Sequence, residues 1–214
     1  MENKFRILRD GRTSVRFLLL LLYSFKLLPN QMEKIVLHTC CAPCASAIIE
    51  NMLNNNIEPI IYYCNPNIYP IEEYEKRKSE ITRHAEQLGL TIIDDDYNHQ
   101  EWLNAVKGLE SEPERGKRCL QCFKYRMERT AKWAVENGYK TFTTTLASSR
   151  WKLQTQIDQA GFEAEKNNPS SKYWDKNWRK GGLSERRSAL IKELGFYNQT
   201  YCGCEFSIRK ESKI

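Results

Sequence analysis

The stretch Lys34-Ile35-Val36-Leu37-His38-Thr39, followed at once by Cys40-Cys41-Ala42-Pro43-Cys44, decides the fold. Its first part is short, β-branched and bounded by a turn, which predicts a buried strand. A helix is predicted next, from about Cys44 to Asn54, with Ile48, Ile49, Met52 and Leu53 on its apolar face and Asn54-Asn55-Asn56 as its end. The unit is therefore strand, turn, helix, and the cysteines sit at the turn.

Working outward, Ile60–Cys64, entered through Pro59, reads as a second buried strand. Two prolines make Asn65–Pro70 a loop. Ile71–Leu88 is an amphipathic helix, with Tyr74, Ile81, Ala85 and Leu88 inward and Gly89 as its stop. A short strand over Leu90–Asp94, a helix over Asn98–Lys107 and a polar loop over Glu110–Arg118 follow. Cys119–Asn137 is a strong helix with Phe123, Met127, Ala131, Ala134 and Val135 in register. Lys140–Thr145 is a fourth strand, Gln154–Lys166 a helix, Asn167–Gly182 irregular and Leu183–Leu194 a last helix.

This alternation predicts a three-layer, Rossmann-like α/β fold: a parallel sheet with helices on both faces. The active crevice of such a fold lies beyond the carboxyl ends of its strands. Cys40 and Cys41, Asn65–Pro70, Asp94–Asp96 and Thr143–Ser149 all fall at such ends, so they converge on one edge.

The chain has 214 residues, enough for one domain with a small appendage. We expect a single catalytic α/β domain over 32–214, ending in a cysteine-containing segment, and an N-terminal extension over 1–31. In that extension, basic residues precede the apolar run Phe17–Tyr23. The run is far short of the roughly 20 residues that a membrane span needs. No small-residue cleavage site follows it. The extension therefore reads as a short helix or a poorly ordered tail, with Met32 as the physiological start, and neither membrane association nor secretion is expected. A mean hydropathy of -0.65 argues for a soluble protein. The net charge of +6 permits a nucleic-acid partner without requiring one.

Seven of the eight cysteines fall in three groups: Cys40/Cys41/Cys44, Cys119/Cys122 and Cys202/Cys204. Such tight clustering suits a metal or a catalytic dithiol better than loop-closing bridges, and it argues for a reducing cytoplasm. Two thiol pairs suit tetrahedral zinc and an iron–sulfur cluster alike. Cys44, three residues past Cys41, is either a further metal ligand or a free thiol in the first helical turn. A disulfide across Cys202-Gly203-Cys204 would be strained and easily reduced, which suits catalysis and not a staple. Cys64 ends an apolar strand and reads as a core residue.

Five motifs in one order resemble the QueH family, the cobalamin-independent epoxyqueuosine reductases. They are His38-Thr39-Cys40-Cys41-Ala42-Pro43-Cys44, Asn65-Pro66-Asn67-Ile68, Glu112-Pro113-Glu114-Arg115-Gly116-Lys117-Arg118-Cys119-Leu120-Gln121-Cys122-Phe123, Thr143-Thr144-Thr145-Leu146 with Ser148, and Gln199-Thr200-Tyr201-Cys202-Gly203-Cys204 with Phe206-Ser207. The resemblance spans about Lys34 to Ser207. It implies a fold of the nucleotide-binding HUP type, although the Ser-Gly-Gly phosphate loop of that group is missing here, so no ATP use is expected. It implies reduction of epoxyqueuosine to queuosine at the wobble position of tRNA. It also implies a 4Fe-4S cluster on Cys40, Cys41, Cys119 and Cys122, Cys202 and Cys204 as a redox-active disulfide pair, and an external electron donor. An additional metal ion beside the cluster, with Cys44 among its ligands, is left open. For the tRNA anticodon loop, Asn65 and Asn67 are candidates to orient substrate. Trp174 and Trp178, set among Lys172, Lys176, Arg179 and Lys180, are candidates to stack on bases. His38, Asp94–Asp96 and Tyr201 are candidate proton donors by placement. The competing readings are a zinc-stabilised, non-catalytic tRNA-binding module and a thiol oxidoreductase acting on proteins.

Overall fold

The computed structural model describes residues 32–208. The expectations for residues 1–31, including the start at Met32, lie outside them. Five strands form one all-parallel sheet in the order β3-β2-β1-β4-β5: β1 Glu33–His38, β2 Ile57–Tyr63, β3 Ile92–Asp94, β4 Thr141–Thr144 and β5 Lys172–Tyr173. Among the described residues, six α-helices accompany them: α1 Ala42–Asn54, α2 Ile71–Gln87, α3 His99–Ala105, α4 Lys117–Glu136, α5 Gln154–Asn167 and α6 Leu183–Glu193. Helix α1 packs with α2 and α6, and α4 packs with α3 and α5. The predicted three-layer α/β architecture is what the chain adopts.

β1 is the central strand. Val36 pairs with Ile60 on one side and Phe142 on the other, and Ile35 through His38 are all buried. A strand covered on both faces reads as a continuous apolar run, not an alternating one. The chain order reverses between β1 and β4, so the switch-point crevice opens between their carboxyl ends. That is where Thr39, Cys40 and Cys41 leave β1 and where the 3-10 turn Thr145–Ser148 leaves β4.

Three differences from the sequence expectation have local causes. Helix α1 starts at Ala42, two residues early, because Pro43 falls in its first turn, where a missing N–H has no helical partner to lose. Strand β2 starts at Ile57 and contains Pro59. Ile61 N–H points toward β3, donating to Thr91 O at 2.9 Å. Pro59, two residues earlier, faces the same side, where β3 has not yet begun, so no ladder bond is lost. The stretch read as irregular contains β5, whose two residues pair with Thr141 and Phe142. Two residues carry no periodicity to read. Helix α5 lies tight on that strand: a Cβ at Gly161 would fall 2.4 Å from the Tyr173 ring.

Past α6 the chain returns across the carboxyl end of the sheet. Tyr197 N–H donates to Glu80 of α2 at 2.9 Å, Tyr69 N–H donates to Gly203 O at 2.8 Å, and His99 bridges Pro66 O and Glu205 at 2.7 and 2.9 Å. Among the described residues, no helix is long and apolar enough to cross a membrane.

Candidate active site

The Cys40, Cys41 and Cys44 sulfurs lie within 4.8 Å of one another. The strand end and the helix start impose this. Cys41 is the extended N-cap of α1, and Cys44 stands in the first turn, three residues on, facing the same side. Cys40 Sγ and Cys41 Sγ are 3.8 Å apart. Cys40 N–H donates to Thr145 Oγ1 at 3.1 Å, which ties the triad to β4 across the switch point. Hydrogen bonds from Cys41 and Cys44 hold the Cys40 thiol well below its ordinary pKa, and the same contacts push Cys41 up. Around the triad, Cys41 Sγ meets Gln199 Oε1 at 3.3 Å, and Arg187 donates to Pro43 O at 2.9 Å with Nη2 3.9 Å from Cys44 Sγ.

Cys119 lies in the first turn of α4 and receives the Arg115 N–H at 3.2 Å. The preceding loop wraps on Arg118, whose Nη1 donates to the carbonyls of Glu110 and Glu112. Gly116 caps the helix in a slot where a Cβ would meet Glu112 Oε2 at 2.6 Å and Pro113 O at 2.9 Å. Cys122 is buried one turn on, with Trp102, Val106 and Cys204. Burial pushes the Cys119 and Cys122 thiols up.

The third group arrives on the returning segment. Arg77, 3% exposed, is paired with Glu73 at 2.6 Å and donates to Tyr201 O and Cys202 O. Gly203 adopts φ +108, and a Cβ there would sit 3.0 Å from both Arg77 Nη1 and Ile68 Cγ1. Burial, with Cys122 nearby, raises Cys204 to about 12. All eight cysteines are free thiols.

These groups meet in one cavity of about 660 Å³, lined by Cys40, Cys41, Cys44, Cys119, Cys202 and Cys204. Its cationic lining comprises Arg77, Arg115, Arg118, Arg126, Arg150, Lys152 and Arg187, against a single carboxylate, Glu114. Burial opposes the charge on Lys152, but Cys202, Cys40 and Cys44 outweigh it and raise its pKa. A soft thiolate set inside a positive shell is the donor chemistry that thiophilic metals require. The Cys40/Cys41/Cys44 triad can hold a metal.

The other sequence candidates fall unevenly. Asn65 is buried at the β2 end, where Nδ2 donates to Thr39 O at 2.8 Å and Oδ1 accepts from Arg126. Its polar atoms are committed to building the turn. Asn67 lines the cavity, and its buried Oδ1 has no hydrogen-bond partner among the described residues. Trp178 is 1% exposed, donates to Thr143 Oγ1 at 3.3 Å, and meets Trp174 edge-on. The expectation that it stacks on a base is corrected: its ring is enclosed, and neither tryptophan is among the cavity-lining residues.

His38 is fully buried, with Nε2 donating to Cys64 O and Nδ1 accepting from Thr144 Oγ1 at 2.7 Å. Burial and the Arg126 charge lower it to about 3, and both ring nitrogens are taken up by protein partners. Asp95 is held by Arg129 at 2.6 and 2.7 Å, and Asp94 by Tyr74 and Lys78. Tyr201 lines the cavity, but its hydroxyl donates to Tyr69 O at 2.5 Å, and burial raises it to about 12.

Sequence reasoning missed Arg77, Arg126, Arg187 and Lys152. A signal existed for two of them. Arg77 falls in register between Tyr74 and Ile81, and Arg126 between Phe123 and Thr130, so each places a charge on an inward helix face.

Fold and site together define a Rossmann-like α/β protein with thiol chemistry at the topological switch point. The family model described as "Epoxyqueuosine reductase QueH" matches residues 35–210. Three curated relatives, from Histophilus somni, Acinetobacter baylyi and Thermotoga maritima, carry that same description. They are 46, 44 and 36% identical to this chain over 186, 186 and 180 residues. Those matches cover 87, 87 and 83% of this chain and 76, 85 and 91% of the relatives. The chain belongs to the QueH family.

Proposed function

We propose that this chain is an epoxyqueuosine reductase that removes the epoxide oxygen of epoxyqueuosine in a tRNA anticodon loop, giving queuosine. Beyond family membership, the observation that carries this reading is the convergence of three distant cysteine groups in one cationic cavity. Thiols supply reducing equivalents, and cations receive phosphates.

Cys40, Cys41, Cys119 and Cys122 would hold a 4Fe-4S cluster, and Cys44 would add a ligand for a neighbouring metal ion. When bound, such a group supplies electrons and Lewis acidity toward the epoxide oxygen. The chain's own residues do the rest. Arg126, Arg187 and Lys152 offset the thiolate charge. Asn67 offers an amide to the substrate. Cys202 and Cys204 close to a disulfide, releasing two electrons and two protons. The epoxide oxygen leaves as water, and the two carbons it bridged become a double bond. A two-electron external reductant reopens the disulfide. The thiol clustering supports a reducing, cytoplasmic setting. Anaerobically purified protein should contain about four irons and four sulfides per chain. It should also convert epoxyqueuosine in tRNA to queuosine. One zinc without sulfide, and no conversion, would sink this reading.

A further inference from the structure

We propose that Trp151 is a base-stacking residue of the substrate site, receiving an unpaired nucleobase next to the nucleotide being reduced. The inference rests on the proposed tRNA activity and adds a residue to it. At 62% exposure, Trp151 is the most exposed of the large apolar side chains among the described residues, and it lies on the cavity that holds the cysteines. A lone exposed tryptophan on a mobile tip would carry little meaning. This one is braced. Its carbonyl accepts from Arg115 Nε at 3.0 Å and its N–H donates to Ser149 Oγ at 3.3 Å. Arg179 holds the carbonyls on either side, at Ser149 and Lys152, at 3.4 Å each. The loop thus spends four hydrogen bonds on presenting an apolar ring to the solvent side of a polar cavity.

Its neighbours specify the occupant. The Arg150 guanidinium lies 4.7 Å from the ring centroid. Arg115 and Arg150 have no carboxylate partner among the described residues. An apolar flat ring set among unpaired cations fits a ligand with a π face and adjacent anionic groups, which is the chemistry of a single-stranded nucleotide. An apolar protein surface would leave those charges without partners. Because Cys40, Cys44 and Cys202 line the same cavity, a base on Trp151 fixes the register of the loop against the thiols.

The test uses the full chain and a fluorescently labelled, unmodified anticodon stem–loop RNA, with binding read by anisotropy across a salt series. Wild type should bind, and Trp151→Ala should weaken binding about 5- to 100-fold. Trp151→Phe should recover most of the loss, and the salt slope should stay unchanged, because no phosphate contact is removed. A control variant, Arg150→Gln, should instead reduce that slope. Tight wild-type binding with an equally tight Trp151→Ala variant overturns the inference and leaves the tRNA reading intact. So does a parallel loss of melting temperature in Trp151→Ala, which would make the ring a packing element. If wild type does not bind the RNA at all, the tRNA reading fails and takes this inference with it.

Discussion

The Arg77 guanidinium on α2 donates to the Cys202 carbonyl at 3.2 Å, so a buried helical charge holds the backbone of the third cysteine group. Removing the guanidinium leaves the nearly buried Glu73 with the Tyr197 hydroxyl but no cation, and Arg77→Gln should cost about 3–5 kcal/mol. Arg77→Lys keeps a charge for Glu73 but cannot span both carbonyls. We expect the lysine variant to fold, to lose about 10- to 100-fold in kcat with little change in KM, and to show faster alkylation of Cys202. Steady-state kinetics with timed iodoacetamide labelling would check this. A variant whose kcat and labelling match wild type would show that the contact does not position the segment.

Gly203→Ala tests the same clamp from the other side. A residue forced to φ +108, with its Cβ 3.0 Å from Arg77 and Ile68, carries strain of about 1–3 kcal/mol. Turnover should fall while the metal content of purified protein stays at the wild-type level. Elemental analysis beside the activity assay separates the two.

The cysteines should divide by role. Cys202→Ser and Cys204→Ser should abolish multiple turnover and leave metal content in place. Cys64 is fully buried beside Asp95, away from the cavity lining, and its carbonyl, not its thiol, serves His38 and Arg126. Cys64→Ala should therefore cost about 1–2 kcal/mol of stability and keep full activity. Loss of metal from the Cys64 variant would place it in the site after all.

Asp95 carries a pH signature. Burial alone would raise its carboxyl, but the two Arg129 hydrogen bonds outweigh burial and hold it below the ordinary value. Its folded pKa lies below the unfolded one, so the pair's contribution is fully present above roughly pH 4. It is lost as pH falls through the folded value. Asp95→Asn should cost about 2–3 kcal/mol at neutral pH and flatten the acid limb of stability. Activity should stay within about twofold, since Asp95 faces Arg129 and the Cys64 thiol, neither of which lines the cavity. Urea titrations from pH 2 to 7 provide the measurement.

The parallel sheet and the crevice were legible from β1 and its turn, because a doubly covered strand leaves an unbroken apolar run and cysteines at its end need no tertiary information to place. Strand β5 was not legible, because two residues carry no period. Trp178 misled for a different reason. A tryptophan among lysines looks the same in sequence whether its ring faces solvent or Thr143, and only burial separates the two. The cationic lining was hidden because Arg77, Arg126 and Arg187 come from three different helices, and their common focus exists only once α2, α4 and α6 are folded.

The returning segment has a consequence for biosynthesis. Gln199 reaches Cys41 across 158 positions of chain, so the thiol triad and its cover are translated far apart in time. Until Tyr197–Ser207 docks on Arg77, Glu80 and His99, Cys41 lacks its Gln199 partner and the cavity lacks Cys202 and Cys204. The order of synthesis thus completes this wall of the cavity only after every strand of the sheet has been made.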